Sequence, residues 1–210
     1  MKNRAQFLAA LAILQAAAAN SEISRELVLD FESGKKKLID TTMVHRALIS
    51  ANGGVVNTVM DQTVVRTPGL TDFQNGALTE GQILVVQSIS VGFGITANTN
   101  TDPRAVRYGN LSNGTVAQGG AVVEPVFQLA ELIIRQDGKM KHDAAIRQYL
   151  QGQAGFDPNA NFVELANGFI FNEKTPIGIE LKNPANPIAA TATSSFFIEV
   201  AFKGLISIPR

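Results

Sequence analysis

The hydrophobic pattern changes once along the chain, from a helical period near the N-terminus to the period-two alternation of strands further on. Residues 4–19 are mostly Ala, Leu and Gln, which are strong helix formers, and Phe7, Leu11 and Leu14 share one stripe at helical spacing. We therefore expect an N-terminal helix. Because an isolated helix of this length is marginal in water, it should dock against its own domain, a neighbouring subunit or a membrane surface.

The residues that follow this helix do not decide between helix and strand. Leu27, Leu29 and Phe31 alternate as in a strand, and three lysines come directly after Gly34. A triple lysine is a candidate phosphate contact, but such runs are usually solvated loops, and the second interpretation agrees better with a chain of zero net charge. The lysines are Lys35, Lys36 and Lys37.

From residue 55 onward the chain alternates between apolar and polar positions, as half-buried strands do. One predicted face of residues 83–95 consists of Val85, Gln87, Ile89, Val91 and Phe93. The final run has a wholly apolar face formed by Phe196, Ile198, Val200 and Phe202. Strands are predicted near Val55, Ile83, Leu129, Met140, Phe162, Ile177 and Phe196, with an eighth, less regular one near Leu27.

Residues 127–150 suit either a helix that begins after Pro125 or a pair of strands. The dipeptide Asp137-Gly138 favours the strands, because it is typical of the type I′ turn whose twist matches a β-hairpin. We therefore predict a hairpin centred on this dipeptide.

These elements predict a mainly β protein: an antiparallel β-sandwich or jelly roll of about eight strands with an N-terminal α-helix. A chain of 210 residues can bury the core of one such domain. We assign residues 1–50 to an N-terminal helical arm or anchor and residues 51–210 to a single jelly-roll domain.

Charge and composition restrict the function. The chain has 18 basic and 18 acidic residues, so it lacks the overall field that a dedicated nucleic-acid binder needs, and little self-repulsion opposes association between copies. It has no cysteine, so its stability must come from packing. With 45% hydrophobic and 17% charged residues, a packed fold is expected.

The N-terminus imitates a secretory signal, with Lys2 and Arg4 preceding the apolar run 7–14 and four alanines. Gln6 and Gln15 interrupt that pattern, and we therefore favour retention of the segment. No apolar run reaches the roughly 18 to 20 residues that a membrane-spanning helix requires.

Residues for catalysis or for binding a metal or cofactor are not predicted. The two histidines, His45 and His142, have no zinc-ligand spacing and no serine elbow motif near them, so each is interpreted as a surface or hydrogen-bonding residue. Residues 92–97 match the G-x-G-x-x-A dinucleotide fingerprint, but turn-forming residues follow where the fingerprint needs a helix. The chain is therefore predicted not to be an enzyme.

The C-terminal half resembles the jelly-roll virion proteins of icosahedral tailless bacteriophages. The resemblance is carried by the sequence of strand-like and turn-like segments in residues 131–139, 162–165, 175–177 and 194–206. It implies a jelly roll that stands on the capsid surface and packs beside its copies, with an N-terminal segment that reaches toward an internal membrane or the genome. Whether the chain forms the major shell or a vertex stays open.

The resemblance also implies the partners and the location. The expected partners are copies of this chain and other virion proteins, the expected location is the virion, and no cofactor or small-molecule substrate is expected. Residues 4–19 would be the inner anchor, with Phe7, Leu8, Leu11 and Leu14 as its interface. The alternative is a secreted β-sandwich module that binds carbohydrate or a cell surface, with the first 20 residues as its removed signal.

Overall fold

A computed structural model describes residues 2–49, 55–97, 101–106, 108, 129–151, 162–184 and 194–209. Two helices precede two four-stranded antiparallel sheets. The helices are α1 (Lys2–Ala19) and α2 (Arg25–Glu32). The strands are β1 (Lys36–Ile49), β2 (Val56–Met60), β3 (Leu84–Ala97), β4 (Glu131–Gln136), β5 (Lys139–Ala145), β6 (Val163–Phe171), β7 (Ile177–Lys182) and β8 (Ser194–Pro209).

The strand order is that of an eight-stranded jelly roll. The first sheet has the order β1-β8-β3-β6 and the second has the order β2-β7-β4-β5. Strand β1 pairs with β8, β2 with β7, β3 with β6 and β4 with β5, as if one long hairpin had been rolled up on itself. The pairs β3–β8 and β4–β7 join these ribbons into sheets. The predicted fold class is confirmed.

Aromatic rings fill the space between the sheets. Phe73 packs edge-on against Phe202 at 6.1 Å, Phe202 against Phe171 at 5.2 Å, and Phe171 against Phe169 at 5.2 Å between ring centroids. The ladder ends at His142, which stacks on Phe169. The predicted apolar face of the last strand lies in this core, so that prediction is confirmed. Its members are Phe196, Ile198, Val200 and Phe202.

A bulge in β3 inverts the predicted alternation. Both β3–β6 and β3–β8 shift register between Val86 and Ser88. Before the shift Val86 faces the sandwich core and Val85 faces the helices, whereas after it Ile89 faces the core. The predicted face that combined Val85 and Gln87 with Ile89 is therefore wrong, because one extra residue exchanges the two faces of a strand.

The predicted hairpin is confirmed. Strands β4 and β5 are joined by Asp137 and Gly138, whose φ angles are 53° and 70°. Two successive positive φ angles define the type I′ turn, which Asp-Gly adopts readily.

The strand predicted near Leu27 is wrong, because this segment forms α2. The Ser24 side chain accepts a hydrogen bond from the Leu27 backbone N–H at 3.3 Å and so caps the helix. Val28 and Phe31 are three residues apart, which places both on the buried face of a helix.

The N-terminal segment also supplies a strand to the sandwich. The predicted arm of residues 1–50 includes β1, whereas the structure pairs β1 with β8 from Lys36 opposite Pro209 to Ile49 opposite Phe196. The strand predicted near Val55 is β2, which covers Val56–Met60. The helical part of the arm therefore consists of α1 and α2.

Candidate functional site

Helix α1 docks on the outer face of the first sheet. Ala10, Leu14 and Ala17 are buried, and Leu14 has no exposed surface. They form a second hydrophobic core with Val28, Phe31, Ile83, Val85, Ile170 and Leu205. Because the bulge in β3 turns Val85 outward, this part of the sheet presents an apolar surface that α1 and α2 cover.

A glycine allows the close approach of α1 to β6. A Cβ atom at Gly168 would lie 2.5 Å from Ile13 Cδ1 and 2.6 Å from the Val86 carbonyl oxygen. Residues 165–168 also lie outside the β3–β6 register, which passes from Val86 opposite Phe169 to Ser88 opposite Glu164. The helix therefore sits where the edge of the first sheet is irregular.

The four predicted interface residues divide into two pairs. Leu14 is fully buried and Leu11 is partly buried against the chain's own second core. Phe7 and Leu8 remain 37% and 53% exposed. The helix therefore docks on its own domain, which is one of the three positions expected for it. Contact with a neighbouring molecule stays a prediction for Phe7 and Leu8.

A groove of about 790 Å³ runs alongside α1. One wall is the side of α1 that carries Ala5, Ala9, Ala12 and Ala16. The opposite wall includes Met140 on β5 together with Glu164, Leu165 and Ala166 on β6, and Gln87, Ser88 and Gly168 lie at the base. The groove is therefore bounded by alanines on the α1 side and by a mixture of polar and apolar groups on the other, with Glu22, Lys141 and Glu164 as its charged residues.

Polar contacts fasten the helical hairpin to the sandwich. Lys141 Nζ lies 2.6 Å from Glu22 Oε2, and the Lys141 side chain is only 9% exposed. Asn172 Nδ2 donates to the Glu22 carbonyl oxygen at 3.3 Å, and Gln15 Nε2 donates to Glu32 Oε1 at 3.0 Å. The first two contacts join the turn between α1 and α2 to β5 and to the start of the β6–β7 connection, and the third joins the two helices to each other. The sequence carries no signal for this long-range pairing.

The three lysines lie at the start of β1. Lys35 is exposed, with Nζ 3.7 Å from Asp30 Oδ1, while Lys36 and Lys37 pair with Pro209 and Ile208 on β8. Their contact with phosphate stays a prediction.

Both histidines make hydrogen bonds within the sandwich. The Nε2–H of His45 donates to the Val59 carbonyl oxygen at 2.8 Å, and burial lowers the pKa of His45. Its Nδ1 has no partner within the described residues. His142 Nε2 is hydrogen-bonded to the Tyr149 hydroxyl, and burial lowers the pKa of His142 and raises that of Tyr149.

Charged side chains on the sheet surfaces are largely paired with one another. On the second sheet Lys182 Nζ lies 3.1 Å from Glu131 Oε2, across neighbouring strands. On the first sheet Arg46 Nε lies 2.6 Å from Glu199 Oε2, and the same guanidinium donates to the Gly69 carbonyl oxygen at 2.6 Å. The strands also carry exposed apolar side chains, Ile39 and Leu48 on β1 and Val56 on β2, so the surface of the sandwich is mixed.

Other candidate chemistry finds no counterpart in the described residues. The fingerprint-like segment 92–97 lies within β3. Among the described residues no three acidic or histidine side chains are placed to hold a metal ion. No helix in the described ranges has both the length and the apolar content needed to cross a bilayer.

Comparisons with known proteins found no matching family model, curated protein or solved structure. The function is therefore argued from the jelly-roll fold and from the surface of α1.

Proposed function

We propose that this chain is a virion structural protein, a self-assembling capsid subunit of a tailless phage that works by association and catalyses no reaction. The observation that carries the proposal is the combination of a filled jelly roll with an apolar helix on its surface. Viral capsid domains are one of the established uses of the jelly roll, which also serves lectins and cupins. The interior and the surface of this domain must therefore decide which of these uses applies to the chain.

The interior of the sandwich favours a structural role. The space between the sheets is occupied by the ladder from Phe73 to His142, and a groove of about 790 Å³ lies outside the sandwich, beside α1. A jelly roll that binds a small molecule between its sheets needs an opening there. The packing of the described residues therefore favours interaction at the outer surface.

The exposed apolar side chains favour association with copies of the chain. Phe7 and Leu8 lie on the same helix, and the zero net charge provides little repulsion between subunits. Other virion proteins are further proposed partners, and the helical arm would face an internal membrane or the genome.

Native mass spectrometry and negative-stain microscopy over a range of concentrations test the proposal. We expect oligomers that grow into rings or shells as the concentration rises. A chain that stays monomeric at the highest concentration reached would contradict it.

The competing secreted carbohydrate-binding module makes a different prediction for the intact mass. Cleavage after Ala19 would remove α1 and uncover Val85, Ile170 and Leu205, which α1 and α2 bury in the second core. We therefore expect the purified native protein to retain residues 1–19.

A further inference from the structure

Strand β1 is the outer strand of the first sheet, and the chain covers only part of its free edge. Near the end of β1, Val44 and Arg46 direct their backbone groups away from β8. The Arg46 N–H donates to the Leu70 carbonyl oxygen at 2.9 Å, and the Asp72 N–H donates to the Val44 carbonyl oxygen at 3.0 Å. The Asp72 carboxylate accepts in turn from the Val44 N–H at 2.8 Å. The loop that follows β2 therefore closes this part of the edge.

The earlier part of the same edge is open. The register between β1 and β8 runs without a shift from Lys36 to Ile49, so every second residue directs its backbone N–H and C=O toward the free edge. Among the described residues, no other backbone group bonds to these outward groups before Val44. A row of unpaired groups is a template on which another strand can pair. The residues that carry them are Lys36, Leu38, Asp40 and Thr42.

Two opposite charges stand symmetrically about Leu38 on this open edge. Lys36 lies two residues before Leu38 and Asp40 two residues after it, so both side chains are on the same face of the strand. No ion pair joins either of them to another described residue. Lys203 on β8 shares a small surface pocket with Asp40, but its Nζ lies over the Phe162 ring, 5.4 Å from the ring centroid.

This segment is complementary to a second copy of itself in antiparallel pairing. When Leu38 lies opposite Leu38 of the partner subunit, Lys36 lies opposite Asp40 of the partner subunit, and the two-fold axis repeats this pair. The same register directs the open backbone groups of each strand toward those of the other, as a hydrogen-bonded ladder requires. Opposite charges that face each other across paired strands are favourable, whereas like charges are unfavourable.

Other arrangements of two such strands lose this match. A shift of the register by two residues in either direction places a charged residue opposite Leu38. Parallel stacking in register would place Lys36 beside Lys36 of the partner subunit, and lysine on an edge discourages such pairing. The charges therefore favour one closed, isologous pair over an open-ended stack.

The pairing also covers an exposed apolar side chain. Ile39 is 43% exposed, and it would lie opposite the aliphatic stem of Lys37 of the partner subunit. A contact between two short strand segments is smaller than a standard interface of about 1,600 Å², so it is weak by itself. We therefore expect it to be populated at high concentration, or beside further contacts in an assembly.

We infer that two copies of this chain pair through the open part of β1, antiparallel about a two-fold axis at Leu38, so that their first sheets become one continuous sheet. The inference rests on the proposed self-association and names the strand that performs it. A strand of a different protein is the other possible occupant of the edge, and its binding would not require Lys36 and Asp40 to be complementary.

Cysteine cross-linking of the full chain tests the register, because the chain contains no cysteine. Under mild oxidation, Lys36→Cys mixed with Asp40→Cys should form mixed disulfide dimers several-fold more than Lys36→Cys mixed with Val65→Cys, whose position is 61% exposed in the loop before β3. Residues directly opposite in such a pair have Cα atoms about 5.5 Å apart, which a disulfide can span. Lys36→Cys alone should stay near the control level, because its copy would lie about 14 Å further along the strands.

Charge reversal tests the complementarity. Lys36→Asp and Asp40→Lys should each weaken self-association at least about fivefold in sedimentation velocity, because the two-fold axis repeats each repulsive pair. The double variant should restore association, and so should a mixture of the two single variants, since both arrangements return opposite charges to facing positions. Circular dichroism checks that each variant is folded. The control Lys139→Asp, at an exposed position on β5, should leave association unchanged.

The results that contradict the inference can be told apart. If the natural chain oligomerises while the mixed cysteine pair stays at the control level, the open edge is not the interface, although self-association stands. If Lys36→Cys cross-links mainly with itself, the strands are parallel and the inference is wrong. A double charge variant that associates no better than the single variants would rule out the register. A chain that stays monomeric, with the mixed cysteine pair at the control level, would refute both the pairing and the proposed function and leave the edge to a strand of a different protein.

Discussion

Replacement of Leu14 by Ala measures how firmly α1 is held on the sandwich. Leu14 is fully buried in the second core, and the change removes three carbon atoms at about 0.8 kcal/mol each, or about 2.4 kcal/mol, before any cavity is counted. Leu→Ala changes in closed cores cost about 2.7 to 5 kcal/mol. Because α1 covers the outer face of the sheet as a single helix and can shift toward the space, we expect the lower part of this range, about 2.5 to 3.5 kcal/mol.

The matched control is Leu8→Ala on the same helix. Leu8 is 53% exposed, so the same chemical change should cost at most about 1 kcal/mol in the unassembled chain. Urea unfolding followed by circular dichroism gives both free energies, and hydrogen exchange of the α1 amides shows whether the loss is local or global. Equal effects of Leu14→Ala and Leu8→Ala would refute the docking of α1.

The remaining predictions concern the core, one strand contact and the fastening of the hairpin. Burial lowers the pKa of His45, so between that pKa and the ordinary value of about 6.5 the unfolded chain binds more protons than the folded one. The free energy of unfolding should therefore fall as the pH drops through this window. His45→Gln should reduce the dependence of the unfolding free energy on pH, as measured by urea titrations at several pH values. Gly204→Ala should lower the free energy of unfolding by about 3 kcal/mol or more, because a Cβ there would lie 1.8 Å from a backbone carbonyl oxygen of β3. In the control Gly178→Ala the added Cβ meets no atom within 4 Å, so the urea midpoint should change little. Lys141→Met should cost about 1 kcal/mol and speed hydrogen exchange in α1, and the same change at the exposed Lys139 should do neither.

The strands that could be predicted are those whose pattern is set by local chemistry. The last strand alternates because one face lies in the core along its length, and the β4–β5 hairpin follows from an Asp-Gly pair that adopts two positive φ angles. Both signals lie within about ten consecutive residues. The sandwich class follows from counting such signals.

The elements that could not be predicted depend on distant partners. Strand β1 is an edge strand, and the residues of β8 that pair with it lie 147 to 173 positions further along the chain. The segment of α2 alternates by chance, and only the cap from Ser24 and the second core under Val28 and Phe31 make it helical. The bulge in β3 is likewise invisible in a pattern that reads through Gln87 without a break.

The candidate surface was only partly accessible to sequence reasoning. The apolar stripe of α1 correctly predicts a helix. It combines Leu14, which is fully buried, with Phe7, which is 37% exposed. Gly168 lets Ile13 of α1 approach β6 closely, and no local signal in the sequence connects these two residues.

Three local features of the sheet coincide under α1 and explain why the helical layer lies there. The register shift after Val86 turns Val85 outward, and Gly204 on β8 leaves room for the Val85 carbonyl, which lies 1.8 Å from where its Cβ would be. On the other side, Gly168 lets Ile13 approach the sheet. Residues 83–86 are all apolar, and the register shift fixes Ile83 and Val85 as the ones that face the helices. The irregular sheet therefore holds α1 by one face, and the alanine side of the helix borders the groove toward β5 and β6.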